Sequence, residues 1–169
     1  MKKALLLSFI TYSFIAHSQD CEKLVSENID KVTGQITTSL IEPIIISNDG
    51  GKTGFEISLH LSSKGDAMAL LLTINGAGPC VDRGDEINIL FTDDTRLTLK
   101  YTGDFACDPS LFISFGGYAK KLEELQQLKT KKIATLRGWT RGKVMQMDLT
   151  EKQATLVMNS FSCMANKLK

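Results

Sequence analysis

Phe55-Glu56-Ile57-Ser58-Leu59-His60-Leu61-Ser62 alternates apolar and polar residues without a break. A period of two puts every second side chain on one face. The stretch therefore predicts a strand that buries Phe55, Ile57, Leu59 and Leu61 and leaves its other face in water. Ser63-Lys64-Gly65-Asp66 supplies a turn, and Ala67 to Asn75 returns as a second, more continuously apolar strand. Downstream, Asp85 to Phe91 and Arg96 to Tyr101 repeat the alternation around Thr92-Asp93-Asp94-Thr95. Leu111 to Phe115 adds a short strand that stops at Gly116-Gly117. Upstream, Gln35 to Ser47 reads as one or two strands broken at Pro43, a residue tolerated at an edge or a bend.

The period changes after Tyr118. Leu122, Leu125 and Leu128 recur every third residue among Lys and Glu, which predicts a short helix. Lys132 to Thr140 and Lys143 to Leu149 form a last hairpin turning at Arg141-Gly142. Thr150-Glu151-Lys152-Gln153 is a capping box, in which the hydroxyl and the amide each satisfy a backbone donor of the other. The closing helix carries Ala154, Val157, Phe161, Met164 and Leu168 on one stripe, and that stripe needs a sheet to cover. The expected fold is α+β: a largely antiparallel sheet system of seven or eight strands, curled into a sandwich or half-barrel, with the C-terminal helix packed on it. No linker, low-complexity stretch or internal repeat divides residues 19–169, so one globular domain is expected there.

Residues 1–18 read as an export signal. Lys2 and Lys3 make a charged start, Ala4 to Ala16 an apolar run too short to span a bilayer, and Ala16 and Ser18 the small residues a signal peptidase requires. The mature chain should begin at Gln19 and work in the periplasm or outside the cell. Cys21 lies near this cut, but Gln19 and Asp20 stand where a lipid-anchor signal requires small residues. Loss of Lys2 and Lys3 turns the whole-chain charge of +1 into about −1, which is no footprint for nucleic acid. No later apolar run reaches the length of a membrane span.

All four cysteines, Cys21, Cys80, Cys107 and Cys163, survive processing. In an oxidising compartment an even number suggests two disulfides, with buried free thiols as the alternative. The hairpin register narrows the pairing. Keeping Ile87, Ile89 and Phe91 on the same face as Leu97, Leu99 and Tyr101 is achieved by a three-residue loop, Asp93 to Thr95, that pairs Phe91 with Leu97. Extended, that register sets Cys107 opposite Val81, beside Cys80. A two-residue loop would oppose the two cysteines directly but mix apolar and polar faces. Cys80–Cys107 follows, and Cys21–Cys163 by elimination. Zinc is disfavoured, since there is no Cys-x-x-Cys and His60 is the only histidine after the signal.

Cys21-Glu22-Lys23 with Asp30-Lys31-Val32-Thr33-Gly34, and Leu128-Lys129-Thr130-Lys131-Lys132-Ile133 through Gln153 to Cys163, resemble a group of small exported proteins of uncharacterised function found in bacteroidete bacteria. The resemblance implies a periplasmic or secreted protein. It transfers no catalytic residue.

Sites are weighed on chemistry. His60 shares a polar face with Glu56, Ser58 and Ser62, but same-face neighbours along a strand stand roughly 6.5–7 Å apart, too far for a hydrogen-bonded relay. A solvated histidine is favoured over a hydrolase site. Asp82, Asp85, Glu86, Asp104 and Asp108 gather at the end of the hairpin opposite its turn. Calcium is the chemistry such oxygens can offer, and turn capping is the commoner use. Gly76-Ala77-Gly78 precedes strand pattern rather than a helix, so it reads as a turn and not a phosphate loop. From Lys120 to Lys143 the chain holds Lys120, Lys121, Lys129, Lys131, Lys132, Arg137, Arg141 and Lys143 against Glu123 and Glu124, with Trp139 between Arg137 and Arg141. Arg137, Trp139 and Arg141 make a candidate binding patch for an anionic glycan, a lipid headgroup or an acidic protein surface. The competing reading, favoured by residue type, is a solvated helix face followed by a strand whose Trp139 enters the core. The resulting expectation is a non-enzymatic exported protein that binds a partner protein or an envelope or extracellular ligand, with no cofactor. The alternative is a small secreted hydrolase built from His60 and carboxylates.

Overall fold

The computed structural model describes residues 21–76, 80–118, 121–140 and 143–168. The signal segment, Gln19 and Arg141 lie outside the described residues. Among the described residues, ten strands and two α-helices follow a short 3-10 turn at Cys21–Lys23. β1 (Val25–Ile29), β2 (Ile36–Leu40), β3 (Ile44–Ser47), β4 (Gly54–Leu61), β5 (Ala67–Asn75) and β8 (Ser110–Gly116) make one sheet in the order β1-β2-β4-β5-β8, with β3 also on β4. β6 (Glu86–Phe91), β7 (Arg96–Lys100), β9 (Ile133–Thr140) and β10 (Lys143–Asp148) make a second in the order β10-β9-β6-β7. All pairings are antiparallel. The fold is α+β.

Register carries the alternation of single strands across each sheet. Leu59 faces Leu70, which faces Ile113; Ile57 faces Leu72, which faces Leu111. In the other sheet Ile87 faces Leu99 and Ile89 faces both Leu97 and Leu136. These rows are buried and belong to one hydrophobic cluster between the sheets. Full burial of each such side chain stabilises by about 1.5–3 kcal/mol relative to exposure. The sheets pack closely at Gly138, where a Cβ would lie 2.5 Å from Ile74 Cδ1 and 3.0 Å from Phe55 Cε1.

α1 (Leu122–Thr130) buries Leu125 and Leu128, while Leu122 is exposed. α2 (Glu151–Ala165) opens on the Thr150 capping box: Gln153 N donates to Thr150 Oγ1 at 3.3 Å, and Thr150 N donates to Gln153 Oε1 at 2.9 Å. α2 touches both sheets and buries Ala154, Val157, Phe161 and Met164. The Phe161 ring meets Phe115 edge-on, with centroids 6.4 Å apart. Leu168 lies past the helix end and is partly buried.

One strand reading is resolved and one strand is added. Residues 35–47 form two strands, which both pair with β4 at different ends: Ser39 opposite His60, and Ile46 opposite Phe55. Pro43 lies in the break between them. β1 shows no buried face and is held by its pairing with β2, so no apolar alternation announces it. With residues 35–47 divided and β1 added, the described residues form ten strands where seven or eight were expected.

The disulfides join Cys21 to Cys163 and Cys80 to Cys107. The register around the second differs from the expected one. Phe91 N donates to Thr95 O and Ile89 faces Leu97, so the loop is Thr92-Asp93-Asp94 with Asp94 at φ +62°. Inward residues stay inward, but every partner moves by two. Beyond Asp85 the pairing slips back by one residue, and Val81 bridges Ala106. That slip sets Cys80 directly against Cys107.

Candidate binding face of the four-stranded sheet

β9 alternates from Thr135 to Trp139, past a register shift against β6 that buries both Ile133 and Leu136. Leu136 and Gly138 point at the core, so Thr135, Arg137 and Trp139 point outward. Trp139 is 42% exposed. The expectation that it enters the core is corrected, because its parity is that of Arg137. The inward neighbour is Gly138, where the facing sheet leaves no room for a side chain.

Across the strands, outward residues line up in rows. Gln146, Arg137, Asn88 and Thr98 make one; Asp148, Thr135, Leu90 and Arg96 make the next. The first is tied by hydrogen bonds: Arg137 Nε donates to Gln146 Oε1 at 2.8 Å, joined by its terminal nitrogen, and Thr98 Oγ1 donates to Asn88 Oδ1 at 2.8 Å. In the second, Thr135 Oγ1 donates to Asp148 Oδ1 at 2.7 Å. All of these except Asp148 line a trough of about 400 Å³ between Arg96 and Arg137. Neither guanidinium has a carboxylate partner among the described residues. Trp139 stands one row along from Arg137, opposite Val144. The trough offers two cationic donors, Arg137 held by Gln146, with neutral amides and hydroxyls, and an aromatic face one row away. That combination can hold an anionic group.

The basic run from Lys120 to Lys143 does not form one patch. Lys131 pairs with Asp93 at 2.9 Å and lies 5.5 Å from the Phe91 ring centroid, while Lys132 pairs with Glu151. Lys143 Nζ donates to Gly76 O at 3.3 Å. Of the three expected binding residues, Arg137 and Trp139 share one face and Arg141 lies outside the described residues. Arg96 is the residue that sequence reasoning missed. Its outward parity was readable from Arg96-Leu97-Thr98-Leu99, but its neighbourhood depends on β9 pairing with β6.

Elsewhere, His60 is exposed and faces Ser39 on β2 and Ala69 on β5. The acids near the Cys80–Cys107 bridge are engaged locally. Asp85 Oδ2 accepts from Asp82 N at 2.7 Å, Asp82 Oδ1 from Arg83 N at 2.8 Å, and Asp108 Oδ1 from the Ser110 hydroxyl at 2.7 Å. Asp104 is ion-paired with Arg83 at 2.7 Å. Among the described residues no three His, Cys, Asp or Glu side chains converge on a point where a metal ion could sit. No described helix is long and apolar enough to cross a membrane.

Comparison with known proteins returned nothing: no family model, curated protein or solved structure matches the chain.

Proposed function

We propose that this is an exported, non-enzymatic binding protein whose contact surface is the outer face of the four-stranded sheet. The exported chain is taken to begin at Gln19, and the two disulfides fit an oxidising compartment. The observation that carries the reading is the pair of guanidiniums, Arg96 and Arg137, flanking one trough, neither of them ion-paired with a carboxylate among the described residues. An anionic group on a glycan, a lipid headgroup or a protein surface is the complementary chemistry. His60, facing a serine and an alanine, gives the hydrolase reading no support.

Equilibrium binding to three probes tests it: a heparin hexasaccharide, phosphatidylglycerol vesicles and an aspartate-rich peptide. A hydrogen bond to a charged group contributes about 1.5–3 kcal/mol. The double variant Arg96→Ala/Arg137→Ala should therefore weaken binding to the preferred probe at least roughly tenfold while leaving Tm unchanged. Binding to none of the three, or binding indifferent to the double variant, overturns the proposal.

A further inference from the structure

The six-stranded sheet ends at β8, and the free edge of that strand is unlike the other edges of the molecule. β1 carries Glu27, β7 carries Arg96 and Lys100, and β10 carries Lys143 and Asp148. Such charges are the usual means of preventing an edge from pairing with another chain. β8, Ser110-Leu111-Phe112-Ile113-Ser114-Phe115-Gly116, has seven residues and no charge, proline or register shift. β3 is also uncharged, but it has only four residues.

The hydrogen-bonding direction along β8 follows from its neighbour. Ile74 N donates to Pro109 O, so by alternation the amides of Leu111, Ile113 and Phe115 face β5. Those of Phe112 and Ser114 face the open edge, where no backbone partner exists among the described residues. Phe112 is 53% exposed on the outer face, beside Leu71 of β5. Phe112 thus leaves about half of its surface in water at the centre of an unprotected edge.

We infer that β8 is a self-association edge, and that its partner is the β8 strand of a second copy of this chain in antiparallel register about Phe112. The strand's near-palindromic pattern selects a copy of itself over an unrelated peptide. A two-fold axis through Phe112 sets Ser110 against Ser114 of the partner subunit, Leu111 against Ile113 of the partner subunit, and the two Phe112 rings side by side. Like chemistry then meets like on both faces, as an isologous interface requires. Phe112 becomes a hydrogen-bonded pair with Cα atoms about 5.5 Å apart, close enough for its ring to meet its twin. The two six-stranded sheets merge into one, and the exposed edge disappears.

Sedimentation velocity over a concentration series, with amide hydrogen exchange at both ends of it, tests the inference. The wild-type mass should double as concentration rises, and protection should appear at the Phe112 and Ser114 amides while the already bonded Leu111 and Ile113 amides stay protected throughout. Phe112→Lys, at a position already in water, should remain a monomer at every concentration with an unchanged Tm. Ile45→Lys, on the outward face of β3, should dimerise like the wild type. A wild-type chain that stays monomeric, a dimer that survives Phe112→Lys, or a dimer without new protection at Phe112 and Ser114 overturns the inference.

Discussion

Asp93 shows what a single side chain does at a turn. Its carboxylate accepts from the Thr95 hydroxyl and backbone and pairs with Lys131 at 2.9 Å. The Thr95 hydroxyl first, and then Lys131, lower its pKa to about 2. Asp49 is lowered to about 2 by the Thr53 hydroxyl in the same way. A folded-state pKa below the unfolded value stabilises the fold above the ordinary aspartate range, and the contribution is lost as pH falls from about 4 toward 2. A carboxyl-carbon NMR titration should place the Asp93 midpoint near 2, and Thr95→Val should move it up toward the ordinary value. An unmoved midpoint would show that the hydroxyl is not the cause. Trp139 and Gly138 teach a second lesson at this scale. The parity that sets Trp139 beside Arg137 was legible in the sequence, whereas the closeness of the facing sheet that excludes a side chain at 138 was not.

α2 is the element whose sequence and structure agree most closely, because its signals are local. The capping box needs four consecutive residues, and the apolar stripe needs one helical period. Phe161 is fully buried against Phe115. Phe161→Ala should therefore lower stability by about 3–5 kcal/mol through lost burial and a cavity. Thr150→Ala should lower it by about 1 kcal/mol through the lost cap. Urea denaturation midpoints check both, and an unchanged midpoint for Phe161→Ala would make α2 peripheral. β1 is the opposite case. It exists because β2 offers it backbone partners, and nothing in Val25-Ser26-Glu27-Asn28-Ile29 alternates.

At the scale of the whole molecule the two disulfides act differently. Cys80–Cys107 closes a separation of 27 residues and pins one end of a hairpin. Cys21–Cys163 spans 142 residues and ties the start of the described chain to the closing helix. In the chain-entropy picture these loops contribute about 3.6 and about 5 kcal/mol respectively. Replacing Cys21 and Cys163 together by serine should therefore lower Tm further than the same change at Cys80 and Cys107, as calorimetry can establish. The reverse order would mean that the local clamp matters more than the long loop.

The residue pattern alone determined the α+β class, most strand positions, the face that β4, β6 and β7 bury and the closing helix with its cap. These follow from periodicity and short-range hydrogen bonding, which a chain carries in any few consecutive residues. Only the tertiary structure decided which strands are neighbours. That decision brought Arg96 to the face of Arg137, left β8 as an open edge, dispersed the basic run onto separate partners and slid the register that aligns Cys80 with Cys107. Each depends on the pairing or packing of segments far apart in the chain, where one residue of slip changes every partner and no local pattern records the choice.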